Sequence, residues 1–105
     1  MNEVLKFENL VFEEDLPNLT VRRGTKWSGL KGKVYVGDVD GEIQGVAKIL
    51  CTKTMKFEDI KKEDLELEHD PKCRDYEGLL EVMQEVYEDF DVYEIVTLVY
   101  FKILI

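Results

Sequence analysis

The stretch DYEGLLEVMQEVYEDFDVYEIVTLVYFKILI, Asp75 to Ile105, decides the class of fold. From Asp75 to Phe90, the apolar residues Tyr76, Leu79, Leu80, Met83, Val86, Tyr87 and Phe90 recur at the i, i+3, i+4, i+7 spacing of a helix with one buried face. Glu77, Glu81, Glu85 and Glu88 fill the opposite face. The spacing predicts that Tyr76, Leu80, Met83 and Tyr87 pack against a sheet. From Val92 to Ile105 the chain is rich in β-branched and aromatic residues. Ile95, Val99, Phe101 and Ile103 belong to one face, and Val96, Leu98, Tyr100 and Leu104 to the other. A strand apolar on both faces must be covered on both. The long helix supplies one cover and the inside of a barrel the other.

Outward from that pair, the chain reads as a meander. Val4 to Phe7 is a first strand. Phe12 to Leu16 is acidic and short, one helical turn, stopped by Pro17 because the residue before a proline avoids helical angles. Leu19 to Arg23 is a strand closed by Gly24, and Thr25 to Gly32 a loop. Lys33 to Asp38 alternates in strand fashion, and Asp40-Gly41 predicts a type I′ hairpin turn. Glu42 to Lys53 returns, with Gly45 marking a bulge and Cys51 read as a small buried hydrophobe. Phe57 to His69 is helical in composition, in two short pieces. The expected class is α+β: a small, mostly antiparallel β-barrel with helices packed beside it. Residues 1–105 form a single domain, without linker or repeat.

Composition narrows the function. The chain has 14 basic and 23 acidic residues, a net charge of -9. Yet Thr20 to Lys33 holds five basic residues, Arg22, Arg23, Lys26, Lys31 and Lys33, and no acid. A cationic window in an acidic chain points to a local site for an anionic or electron-rich ligand. A long duplex fits poorly as partner, since duplex binders usually carry a basic footprint across the domain, and any contact with nucleic acid is expected to be local, through this window. A nucleoside or short RNA feature fits better. No apolar run is long enough to span a membrane. The opening Met1-Asn2-Glu3 lacks the basic-then-apolar leader of a secreted chain, and two cysteines make no disulfide framework, so a cytoplasmic location is expected. His69, Cys73 and Cys51 do not compose a four-ligand zinc set, and no phosphate loop, dinucleotide fingerprint or Ser/His/Asp set is present. Neither metal nor cofactor is expected.

At Leu19-Thr20-Val21-Arg22 the chain resembles an ASCH domain, a member of the PUA-like barrel superfamily. Thr20-Val21-Arg22 matches the Thr-x-Arg end of the family's Gly-x-Lys-x-x-Thr-x-Arg segment. Phe57-Glu58-Asp59-Ile60 matches a helix start, Glu68 falls where a family glutamate sits, and Tyr87 and the strand from Val92 complete the order. The resemblance implies a PUA-like barrel whose cleft binds a nucleobase, modified nucleoside or short RNA element. It also implies an alternative, an amidohydrolase acting on an acylated nucleoside or small amide, with Thr20 as nucleophile and Glu68 as its partner. In the deacylating relatives a lysine stands three residues before the threonine. Here that position is Pro17, which has no side-chain base to activate a hydroxyl. The departure weighs against an enzyme.

The candidate ligand-binding residues are Thr20, Arg22, Arg23, Lys26, Trp27 and Glu68. Arg22 and Arg23 offer planar forks for phosphate, carboxylate or base carbonyl. Trp27 beside Lys26 has the chemistry of a base-stacking platform, and equally that of a core cap. Thr20 fits a strand on propensity alone, and Glu68 lies in an acidic run that suits a solvated helix face. RNA or a nucleoside-type small molecule is the expected partner. The sequence leaves the oligomeric state open.

Overall fold

The computed structural model describes residues 3–104. Met1 and Asn2, read above for a leader, and Ile105, assigned above to the last strand, lie outside the described residues. Five strands, β1 (Val4–Lys6), β2 (Asn18–Arg23), β3 (Lys33–Gly37), β4 (Ile43–Lys56) and β5 (Ile95–Ile103), form one sheet in the order β1-β3-β4-β5-β2. The β1–β3 pair is parallel and the other pairs are antiparallel. Between β4 and β5 run a 3-10 turn (Phe57–Asp59), the short helix α1 (Lys62–Leu65), a second 3-10 turn (Pro71–Cys73) and the long helix α2 (Tyr76–Val86). The class is α+β with a mixed sheet.

β5 is covered on both faces. Val96, Leu98 and Tyr100 join Leu19, Val21, Phe57, Leu79 and Met83 in the core beneath the helices. Val99 and Phe101 join Leu5, Phe7, Val34, Val36, Ala47 and Ile49 in a second core on the other face. The helix stripe is centred on Leu79 and Met83, the fully buried pair, with Tyr76, Leu80 and Tyr87 half-buried at its margins. Asp75 caps α2, its carboxylate accepting from the Gly78 amide at 2.6 Å.

The expected closed barrel is not formed: among the described residues β1 and β2 are the edges of an open ladder. The sheet nonetheless curls far enough for Phe7, just past β1, to touch both Phe101 of β5 and Arg22 of β2. The seam is filled by the connection from β1 to β2 rather than by backbone pairing. That connection is not the expected helical turn. Asp15 takes a left-handed φ of 59°, and buried Asn18 ties the loop by accepting from the Glu13 amide and donating to the Glu13 and Leu16 carbonyls.

Three further expectations are corrected. The β3–β4 connection is not type I′, because Asp40 does not take positive φ. Gly41 does, at 83°, after a turn in which its amide donates to the Asp38 carbonyl and the Asp38 carboxylate accepts from Asp40 and Glu42. α2 stops at Val86 instead of Phe90. Glu85 and Glu88 oppose the helix dipole at that end, and Asp89 turns the chain at φ 65° so that Phe90 packs edge-on against Phe57. Cys51 is exposed, because the β4–β5 register slips between Ile49 and Cys51 and the bulge turns Leu50 and Cys51 outward. A bulge beside Gly45 does occur, the register shifting between Val36, which is opposite Gly45, and Gly37, which is opposite Ile43.

Candidate functional site

The seam between β1 and β2 opens into a cleft of about 310 Å³. One wall is Lys6 to Asn9, leaving β1. The floor is Thr20, Val21 and Arg22 of β2. A second wall is the segment from Glu68 to Cys73, and the third is the face of α2 ending at Tyr87.

Strand alternation sets the floor. Leu19 and Val21 go to the helix core, so Thr20 and Arg22 face the other way, toward Phe7. The Arg22 guanidinium lies 4.6 Å from the Phe7 ring centroid, and its Nε donates to Thr20 Oγ1 at 3.1 Å. Those two contacts fix the plane of the fork. Its two terminal nitrogens have no protein partner among the described residues and are not sealed from the cleft. Burial lowers the Arg22 pKa, against the opposing pull of Tyr87 and Glu68.

The edge of β2 positions Glu68. Leu19 donates its amide to the Leu67 carbonyl at 2.7 Å and accepts from the His69 amide at 3.0 Å, so residues 67–69 lie along β2 as a short parallel bridge. Because Leu19 turns its backbone groups away from β5, the two-residue repeat turns those of Val21 the same way, into the cleft. Gly78 brings the second wall close: a Cβ there would sit 2.0 Å from the Lys72 carbonyl oxygen. This glycine is needed for the approach of the Pro71–Cys73 turn to α2.

Glu68 and His69 are 2% and 7% exposed. Glu68 Oε1 accepts from the Asp70 amide at 3.2 Å and lies 3.3 Å from His69 Nε2. The His69 ring packs against Phe7 and Phe12, and its Nδ1 is 3.0 Å from the Val11 carbonyl. Burial raises the Glu68 pKa to about 8, with the Asp70 charge adding to it and the Asp70 amide, Arg22 and Arg74 opposing. Burial lowers the His69 pKa to about 4. Cys73, in the same wall, is pushed up to about 12 by burial and by Glu68 and Asp70, so it is a thiol and not a nucleophile.

Thr20, Arg22 and Glu68, far apart in sequence, line this one cleft. The other three candidates do not line it. Arg23 projects to the opposite side of β2, pairs with Glu94 at 2.6 Å and stands over the Tyr87 ring. Lys26 and Trp27 line a separate depression with Glu3 and Ser28 to Leu30, where the Lys26 ammonium is 4.9 Å from the indole centroid. Trp27 is half-buried against the second core, as a core cap would be. Phe7, His69 and Gly78 were not singled out for the site from the sequence. The adjacency of His69 to Glu68 was the one available signal. Among the described residues no cluster of His, Cys, Asp and Glu could hold a metal ion.

The chemistry available to Thr20 is limited. Its hydroxyl accepts from Arg22, a cation that does not take up a proton. Among the described residues no lysine amine is a hydrogen-bond partner of this hydroxyl. Lys53, a conceivable substitute base, is instead 3.6 Å from Asp64 and beside the Tyr100 ring.

A five-stranded mixed sheet with this cleft at its seam makes an α+β domain, and its likeness to a solved structure gives it an ASCH-like fold. The chain is similar in structure to the crystal structure of an ASCH domain from Lactobacillus crispatus, with a TM-score of 0.66 at 11% identity over 82% of this chain. It spans 63% of that protein's length. No family model and no curated protein matches the sequence.

Proposed function

We propose that this ASCH-like domain binds a nucleobase, a modified nucleoside or a short RNA element in the seam cleft. The observation that carries the reading is Arg22. Its fork is oriented by Thr20 and Phe7, its two terminal nitrogens have no partner among the described residues, and it is set beside a buried carboxyl group. Such a fork is suited to a pair of acceptors on a base edge, or to a phosphate. The open backbone amide and carbonyl of Val21 add a donor and an acceptor of the kind a lactam or amidine edge can use. The volume is at the low end for ligand sites and suits one base rather than a duplex. The ASCH-like fold agrees with a nucleic-acid or small-molecule ligand, while the fold alone does not fix function.

In the amidohydrolase alternative the Thr20 hydroxyl has no side-chain base among its hydrogen-bond partners in the described residues, so no appreciable deacylation of acylated cytidine is expected. The binding reading is tested by thermal shift against nucleosides, modified nucleosides and short RNAs. A ligand raises the melting temperature by mass action. The expected result is a concentration-dependent rise that disappears in Arg22→Gln. A rise that survives Arg22→Gln but vanishes in Trp27→Ala would move the site to the other depression.

A further inference from the structure

Glu68 and His69 form a buried titratable pair whose proton count follows from geometry. The Val11 carbonyl can only accept, so His69 Nδ1 carries the hydrogen in their 3.0 Å contact. The neutral imidazole therefore turns the lone pair of Nε2 toward Glu68 Oε1, 3.3 Å away. Two acceptors facing each other in a site this buried, with no hydrogen between them, would be strongly unfavourable.

We propose that Glu68 and His69 hold one proton between Oε1 and Nε2, so that the cleft meets Glu68 Oε2 as an uncharged acceptor for an N–H of a neutral ligand. His69 is the positioning residue that sets this state. The proposal rests on the base-binding reading of the cleft for the ligand's class, and on the protein alone for the proton.

Charged side chains reach the cleft from every wall: Arg22 from β2, Lys6 and Glu8 from the segment leaving β1, Asp70 and Lys72 from the segment after Glu68, and Glu85 from α2, with Arg74 beside the Glu68 carbonyl, while the Phe7, Phe12 and Phe101 rings around His69 carry no charge. Arg22 and Arg74 favour a carboxylate, and Asp70 and burial oppose it. The balance leaves Glu68 at about 8 and His69 at about 4. Between those values the pair is a carboxyl and a neutral imidazole, in agreement with the geometry. Oε2 has no protein partner, yet no unpartnered side-chain oxygen is sealed from solvent among the described residues. It is open to the cleft that Glu68 lines. With the pair uncharged, Arg22 is the one charge on the floor itself, so a cationic edge laid against that floor is disfavoured. The ligand edge implied is an acceptor for Arg22 and a neutral N–H for Glu68, as an exocyclic amine or ring imino group supplies.

The first test is an NMR pH titration of the free protein labelled with ¹³C-Glu and ¹⁵N-His. At pH 6 the Glu68 carboxyl should be protonated and His69 should be the neutral Nδ1–H tautomer. A carboxylate at Glu68, or an Nε2–H tautomer at His69, overturns the proposal. The second test compares cytidine, adenosine and guanosine with the cationic 1-methyladenosine. The neutral nucleosides should bind at least tenfold tighter than the cation. Their affinity should fall above pH 8, and Glu68→Gln, with no proton to lose, should flatten that pH profile. Preference for the cation overturns the proposed selectivity. If no nucleoside binds, the base-binding reading fails and takes the ligand class with it, while the titration still decides the shared proton.

Discussion

Two hollows in this molecule each carry a cation against an aromatic ring in their lining, and they differ in how they are built. In the seam cleft, Arg22 lies over Phe7 with its Nε tied to Thr20, between walls drawn from four separate parts of the chain. In the second depression, exposed Lys26 lies over Trp27 in a lining that is mostly one run, Lys26 to Leu30. The first has fixed donors and a buried carboxyl group. The second has a flexible ammonium that keeps its water. The contrast teaches that a cationic run in sequence is not one site. Alternation along β2 and the loop after Gly24 disperse it, and only the member facing the curl of the sheet enters the seam cleft.

The comparison can be broken most forcefully through pH. Glu68 has a folded pKa, about 8, raised above its ordinary carboxylate value of 4.5. Folding therefore favours its protonated form. That contribution is fully present below about pH 4.5 and is lost as pH rises through about 8, a change on the order of several kcal/mol at most. His69 runs the opposite way, its contribution being present above about 6.5 and lost as pH falls through about 4. Urea unfolding of wild type and Glu68→Gln across pH 4 to 9 should show the variant gaining relative stability on the alkaline side. Parallel curves would mean that Glu68 is solvated, and the cleft no more built than the depression.

Next in size is the support beneath the cleft. Met83→Ala removes a buried side chain of α2 and should cost about 2–5 kcal/mol in a denaturation midpoint measured at constant m. Leu80→Ala, at the half-buried margin, should cost clearly less. Equal losses would return the stripe to the position the sequence predicts.

Gly78→Ala should cost about 1–3 kcal/mol, although alanine is the better helix former, because the added methyl meets the Lys72 carbonyl. The displaced turn carries the second wall, so the same variant should weaken nucleoside binding. A gain in stability would show that the wall is not seated against α2.

The smallest effects belong to the depression. Trp27→Ala should cost about 1–2 kcal/mol as a partial core truncation, and Lys26→Ala should be within about 0.5 kcal/mol of wild type. Neither should change ligand binding in the cleft. A lost ligand response in either, measured by thermal shift, would reverse the ranking of the two places.

The strands and the long helix were legible because their periods are local properties of the chain. Closure was not: whether β1 and β2 pair depends on the path of Phe7 to Pro17, and that path is set by buried Asn18 bonding to Glu13 and Leu16. Cys51 was misread for a related reason, since a one-residue bulge reverses the faces downstream of it. In the cleft, Thr20 and Arg22 could be placed on one face from strand alternation. Glu68 came from family position, because its acidic neighbours made it look like surface. His69, Phe7 and Gly78 owe their places to packing between distant segments, which no local pattern encodes.

The sheet order has a consequence for how the chain reaches this state. β2 finds its ladder partner only in β5, the last strand of the described chain, with Thr20 opposite Val99. As the polypeptide emerges during synthesis, at roughly 5–20 residues per second, Asn18 to Arg23 is made several seconds before any strand can pair with it. Loop closure over so long a span is entropically costly and slows folding. The cleft floor is thus assembled late, when β5 slots between β4 and β2, and a nascent chain lacking β5 would hold Arg22 on an unpaired strand.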